Sequence, residues 1–204
     1  VELVLRLYQR SNTRSRHTLC ISTQAGCAMG CAFCATGLSG WLRNLSAGEI
    51  VAQVLCGQLW LRRHNLGPVT NLVLMGMGEP FANYEQVCQA LRVLNAEAGL
   101  NIGQRRITVS TCGLAPQIRR FADEGWEINL AISLHAPQDE LRSRLLPVNQ
   151  RYPLAELLAA CDYYTEKTHR RISYEYALLR GVNDGPEQAA ALAQLLAGRL
   201  AHVN

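Results

Sequence analysis

The chain contains no stretch approaching the ~18 uninterrupted apolar residues that a helical membrane span requires, which argues against an integral membrane protein of that kind. No secretory signal is legible at its start. Its eight cysteines are unevenly spaced, which counts against a disulfide framework and points to a reducing cytoplasm. Charge of one sign is not in excess either: the formal net charge is +4 over 204 residues. A methionine at position 1 is missing, and Ala201-His202-Val203-Asn204 reads as a strand just entered, so the sequence is expected to be a fragment. What remains is an ordinary composition, 49% hydrophobic and 18% charged, enough for one domain with a real core.

Against this background the run Cys27-Ala28-Met29-Gly30-Cys31-Ala32-Phe33-Cys34 stands out. Three thiolates on one short loop can ligate three irons of a 4Fe–4S cube and leave the fourth iron without a protein ligand. Electron carriers usually close the cube with four cysteines. Zinc is the competing reading, but it wants a fourth Cys or His close by. The nearest, His17 and Cys20, lie upstream on an expected strand. The Cys-x3-Cys-x2-Cys spacing resembles the signature of the radical S-adenosylmethionine (SAM) enzymes, whose open iron chelates the amino and carboxylate groups of SAM.

Short β-rich runs alternate with amphipathic patterns along the chain. Strands are expected at Thr18–Thr23, Asn71–Gly76, Arg106–Thr111, Ile128–Leu134 and Ile172–Leu179. Ser46-Ala47-Gly48-Glu49 reads as a capping box opening a helix to about Arg63, and Asn83 as the cap of a helix striped by Tyr84, Val87, Cys88, Leu91, Leu94 and Ala98. Further helices fit Ala115–Asp123, Asp139–Leu145, Leu154–Thr168 and Pro186–Ala197. Such alternation predicts an α/β fold with a parallel sheet and right-handed crossovers, either doubly wound or part of a (β/α) barrel.

In barrels, active sites gather at the C-terminal ends of the strands. The cysteine loop follows the first expected strand, Gly76-Met77-Gly78-Glu79-Pro80 the second, while Ser110-Thr111-Cys112-Gly113 and Ser133-Leu134-His135 end the third and fourth. Gly78 allows close backbone approach, the Glu79 carboxylate can pair with the SAM ammonium, and Ser110, Ser133 and His135 can donate to its carboxylate or ribose oxygens. Local backbone hydrogen bonding at strand ends is the alternative role for these polar residues. Two basic groups, Arg6, Arg10, Arg14, Arg16 and His17, then Arg62, Arg63 and His64, suit a polyanion such as RNA.

Taken together, Thr18-Leu19-Cys20-Ile21-Ser22-Thr23-Gln24, the cysteine triad, Arg43-Asn44-Leu45, Met75 to Pro80, Arg105 to Thr111, Ile132 to Pro137 and Gly181-Val182-Asn183-Asp184 resemble the RlmN/Cfr family of radical SAM enzymes over nearly the whole chain. The resemblance implies a partial (β/α)6 TIM-like barrel truncated at its C-terminus, with residues 1–17 a basic remnant of a linker from a missing N-terminal domain and 18–204 the incomplete core. It implies methylation of an adenosine of large-subunit rRNA, with tRNA as a further substrate, in the cytoplasm, by a monomer supplied with electrons by a flavodoxin or ferredoxin. By position, Cys27, Cys31 and Cys34 would ligate the 4Fe–4S cluster. Gly78, Glu79, Ser110, Ser133, Leu134 (through its backbone) and His135 would bind SAM. Cys20 would be the cysteine that resolves the covalent RNA adduct, leaving a disulfide as product departs, and Glu2 the proton acceptor. The family's methylated cysteine falls beyond residue 204, so this stretch alone is not expected to complete a methyl transfer. Gly-Glu-Pro favours carbon 2 of adenine over the Cfr-type carbon 8. A different radical SAM reaction, or a non-catalytic iron–sulfur scaffold, are the readings in competition.

Overall fold

The computed structural model describes residues 1–10 and 13–204, with the side chains of residues 9, 10, 13 and 14 outside the description. The side chains of Arg10 and Arg14 in the N-terminal basic group therefore lie outside the description. In chain order the elements are β1 (Val4–Arg10), β2 (Thr13–Cys20), β3 (Gln24–Gly26), α1 (Ala35–Leu38), β4 (Trp41–Asn44), α2 (Ala47–Arg63), β5 (Asn71–Leu74), α3 (Tyr84–Asn95), β6 (Ile107–Thr111), α4 (Ala115–Asp123), β7 (Asn129–Ser133), α5 (Asp139–Leu145), α6 (Leu154–Thr168), β8 (Ile172–Glu175), α7 (Pro186–Leu196) and β9 (Ala201–Val203).

Seven strands form one sheet in the order β1-β2-β5-β6-β7-β8-β9, parallel from β2 onward, with β1 antiparallel on the edge. Alternation along each strand sends one set of side chains to the helices and the other to the concave face. Leu72, Leu74, Ile107, Val109, Leu130, Ile132, Ile172 and Tyr174 are buried in the core against residues such as Ile50, Val54, Leu91, Phe121, Leu157 and Tyr164 of the helices. The opposite set, including Cys20, Val73, Ser110, Ser133, Ser173 and Glu175, is only partly covered. Arg6 and Tyr8 of β1 line the same cavity as His202 and Asn204 at the far edge of the sheet. A flat sheet would hold them six strand spacings apart, so the sheet is curled: the fold is the expected partial barrel.

The capping box is present as expected. The Ser46 side chain accepts from Glu49 N–H while Glu49 reaches back to the Ser46 N–H, and Arg43 pairs with the same carboxylate at 2.7 Å. Asn83 behaves differently from its sequence expectation. It makes no cap bond; it is buried, and its amide donates to the carbonyls of Thr23 and Leu45, both at 2.8 Å. A 3-10 turn at Pro80–Asn83 fills the helix entry instead, freeing Asn83 to tie the motif segments together. The first strand also starts earlier than expected and pairs with β1, so the basic stretch before Thr18 is part of the sheet edge. Among the described residues no helix is long and apolar enough to cross a membrane.

Candidate active site

The cysteine loop is clamped at both ends. It leaves β3, which pairs with β4 in a separate two-stranded ladder, and Cys27 N–H donates to Gly40 O at 2.9 Å. Gly26 sits at φ +78, and a Cβ there would fall 2.1 Å from Gly40 O, so only glycine fits. At its centre, Ala32 N–H donates to Leu145 O at the end of α5, 2.9 Å away. The loop is thus held on a helix of the barrel wall.

Cys27, Cys31 and Cys34 line one cavity of about 260 Å³, together with Gly78, Glu79, Ser110, Ser133 and His135. Residues far apart in sequence meet because β5, β6, β7 and β8 run parallel and deliver their C-terminal ends to this rim. Burial pushes the Cys27 thiol up, and pushes Cys31 up to about 11, with the neighbouring thiols and Glu79 adding to the effect. At these raised values the thiols stay protonated unless a cation is present; ionising them beside Glu79 needs a bound cation to offset the repulsion. Among the described residues, no three His, Cys, Asp or Glu groups are gathered closely enough to share a single metal ion. His17, the upstream zinc candidate, lies within β2, its ring Nδ1 held by the carbonyls of Gly67 and Pro68.

Glu79 is buried, and its carboxylate accepts Phe81 N–H at 3.0 Å and Cys112 N–H at 2.8 Å. Desolvation raises its pKa, opposed by these hydrogen bonds. Two accepted N–H bonds leave lone pairs on both oxygens for a cationic group. Its own N–H donates to Gln24 Oε1 at 2.8 Å, and Gln24 in turn donates to Asn44 at 2.7 Å. Gly78, at φ +100, has Gln24 against the position of a Cβ, with its Cβ 2.6 Å and its backbone N 2.8 Å away. The Gln24, Asn44 and Gly78-Glu79 motifs are therefore one interlocked unit.

His135 adopts a left-handed backbone, φ 55. Ala177 N–H donates to its Nδ1 at 3.0 Å, which assigns the proton of the neutral ring to Nε2. Burial, helped by Arg142, lowers its pKa to about 4, so the ring is a neutral donor at pH 7. Asn183 secures the turn, donating to His135 O and Ala177 O, both at 2.8 Å. The Gly181-Val182-Asn183-Asp184 motif thus acts at a distance on His135.

Three sequence-singled residues lie off this cavity. Leu134 is fully buried, its N–H given to Glu175 O and its carbonyl accepting from Arg142 Nε. Cys20 lines the larger concave cavity, about 820 Å³, and Met75 and Glu175 line both cavities, forming the wall between them. Glu2 is exposed, and its carbonyl accepts from the Ser22 hydroxyl at 2.7 Å, while Ser22 Oγ accepts Met77 N–H at 2.9 Å. That tether brings the Glu2 backbone to the active rim.

This architecture can be compared with known proteins. The Radical SAM superfamily model matches residues 21–193. The chain belongs to the radical SAM superfamily. Within it, the similarity to RlmN enzymes anticipated from the motifs extends over the whole chain. The chain is 55% identical over 207 residues to a probable dual-specificity RNA methyltransferase RlmN of Heliobacterium modesticaldum, covering all of this chain and 53% of that protein. It is 57% identical over 200 residues to the Chloroflexus aurantiacus protein of the same description, covering 96% and 52%. The crystal structure of a radical SAM methyltransferase from Sphaerobacter thermophilus superposes with a TM-score of 0.91 at 49% identity, covering all of this chain and 62% of that one. The chain spans about half the length of the curated relatives it matches.

Sequence reasoning gave no role to Phe33 and Glu175, which line the cavity, or to Arg142, which stands behind it. Cys112, which the rim motif sets at the border of the site, lines the cavity as well.

Proposed function

We propose that this chain is the catalytic core of an RlmN-type enzyme that methylates carbon 2 of an adenosine in large-subunit rRNA, with tRNA a second substrate. The observation that carries the reading is the gathering of Cys27, Cys31, Cys34, Gly78, Glu79, Ser110, Ser133 and His135 around one cavity, with Cys20 in the adjoining one. Similarity to RNA methyltransferases at 55% and 57% identity supports the substrate class.

In this reading the three thiolates would hold a 4Fe–4S cluster, which together with SAM would supply one-electron cleavage chemistry that no side chain provides. The residues do the rest. Glu79 receives the ammonium of SAM, while Ser110, Ser133 and His135 Nε2–H offer donors to its oxygens. Gly78 lets the ligand approach the backbone. Cys20 faces the concave cavity, where the substrate base enters, and acts as the thiol that releases the methylated base. Glu2 accepts the proton. Arg6 and Arg16 line the same concave cavity and supply positive charge for an RNA phosphate. The carbon-donating methylcysteine belongs to the chain beyond residue 204. A flavodoxin or ferredoxin delivers the electron, and the enzyme works as a cytoplasmic monomer.

Nucleoside mass spectrometry of rRNA and tRNA from cells expressing the intact gene, against a deletion strain, tests this. Methyl at carbon 2 of adenine is expected; methyl at carbon 8, or no RNA change, overturns it.

A further inference from the structure

Among the described residues no lysine or arginine lines the cavity that gathers three thiols and Glu79. One guanidinium lies immediately behind its wall. Arg142, on α5, is fully buried. Its Nη2 donates to Cys112 O at 2.7 Å and Ser133 O at 3.1 Å, its Nε to Leu134 O at 3.2 Å and its Nη1 to Asn149 Oδ1 at 2.8 Å. These acceptors satisfy its hydrogen bonds, but none carries a charge. Among the described residues Arg142 has no salt-bridge partner. The acid linked to it is Asp139, one side chain away, whose carboxylate accepts from Asn149 at 2.9 Å.

Burying a cation without a paired anion is costly, so its retention needs a counter-charge. Besides Asp139, the acidic groups near it are those of the cavity. Cys31 packs in the same apolar cluster as Cys112, Leu145 and Leu146, and the helix bearing Arg142 ends at the carbonyl that holds Ala32 N–H. His135, neutral at pH 7, contributes no positive charge.

We propose that Arg142 is the counter-charge of the cysteine loop, a positioning residue that raises the reduction potential of the cluster bound there. Accepting one electron from a low-potential donor adds one negative charge without a proton, and a fixed cation behind the wall favours that reduced state over the oxidised one. Asp139, the carboxylate behind Arg142, offsets part of the effect. This inference rests on the cluster reading above.

The test is a redox titration of the full-length protein, reconstituted anaerobically with iron and sulfide, following the reduced cluster by EPR. At a fixed potential poised with dithionite and mediators, R142M is expected to lower the reduced-to-oxidised ratio at least tenfold, about 59 mV for one electron. R142K keeps the charge but loses the guanidinium fork, so its ratio stays within threefold of wild type even as its melting temperature falls. D139N leaves Arg142 in place and raises the ratio about twofold. An R142M ratio within twofold of wild type, or an R142K ratio as low as that of R142M, overturns the proposal. Should R142M fail to hold a cluster, an unchanged ratio in D139N overturns it. Wild-type protein that takes up no iron would instead refute the cluster reading itself, and this inference with it.

Discussion

Glu79 and Arg142 grip Cys112 from opposite ends: the Glu79 carboxylate accepts its N–H at 2.8 Å, and the Arg142 guanidinium donates to its carbonyl at 2.7 Å. A buried anion and a buried cation are thereby joined through a single residue at the end of β6, without touching. Since Arg142 also binds the carbonyls of Ser133 and Leu134, the ends of β6 and β7 are fixed to one another. The charged pair sets the shape of the cavity from behind while Ser110 and Ser133 face into it.

Replacing Glu79 by Gln keeps the size of the side chain but turns one acceptor oxygen into a donor facing a backbone N–H. The variant is expected to weaken SAM binding by the reconstituted full-length protein on the order of 100-fold, as for truncating a buried charged partner. Isothermal titration calorimetry reads this directly. Binding within threefold of wild type would remove Glu79 from the ligand's contacts.

Gly78→Ala combines a left-handed backbone with a Cβ placed 2.6 Å from the Gln24 Cβ. Neither partner is the free end of a side chain, so relief requires backbone movement. We expect a loss of roughly 3 kcal/mol in unfolding free energy, measured by urea denaturation. Wild-type stability would mean that the Gln24–Gly78 contact is not maintained in solution.

The fourth cysteine of the cavity separates ligands from lining. Cys112 is buried, and its thiol is pushed well above the usual range by desolvation and by Glu79, so it stays protonated. Cys27→Ser, Cys31→Ser and Cys34→Ser are each expected to lose most of the iron after anaerobic reconstitution, whereas Cys112→Ser retains it. Iron loss in Cys112→Ser equal to that of the triad would make it a ligand.

The pH dependence of stability follows from His135. Its folded pKa, about 4, lies below the unfolded value of 6.5, so the native state favours the neutral ring. The stabilisation is complete above about pH 6.5 and is lost as pH falls from there through about 4, amounting to at most roughly 3 kcal/mol. Asn tolerates a left-handed backbone, so His135→Asn should flatten that part of the stability curve of the metal-free protein without breaking the turn. An unaltered slope would show that His135 titrates normally.

How far the sequence announces this structure depends on whether the signal is local. Ser46 and Glu49 form their capping box because the interaction spans one helical turn and needs nothing else. The rim motifs are legible because each strand end carries its own polar or glycine-rich signature. Asn83 misleads, since a good capping residue before an apolar stripe gives no hint that distant carbonyls of Thr23 and Leu45 will claim its amide. Arg142 is invisible for a similar reason. In Asp139-Glu140-Leu141-Arg142-Ser143-Arg144-Leu145 it looks like its neighbour Arg144, which is exposed; only carbonyls from two other strands make it an interior residue. The β1–β2 hairpin escapes because its inward face carries Arg6, Tyr8 and Arg16 rather than an apolar series.

The most direct measurement is EPR of the anaerobically reconstituted, dithionite-reduced full-length protein with and without SAM, alongside its metal content. A cluster held by three thiolates predicts about four irons per chain and a spectrum that SAM shifts through the open iron. Zinc in place of iron, or a cluster spectrum indifferent to SAM, would contradict it.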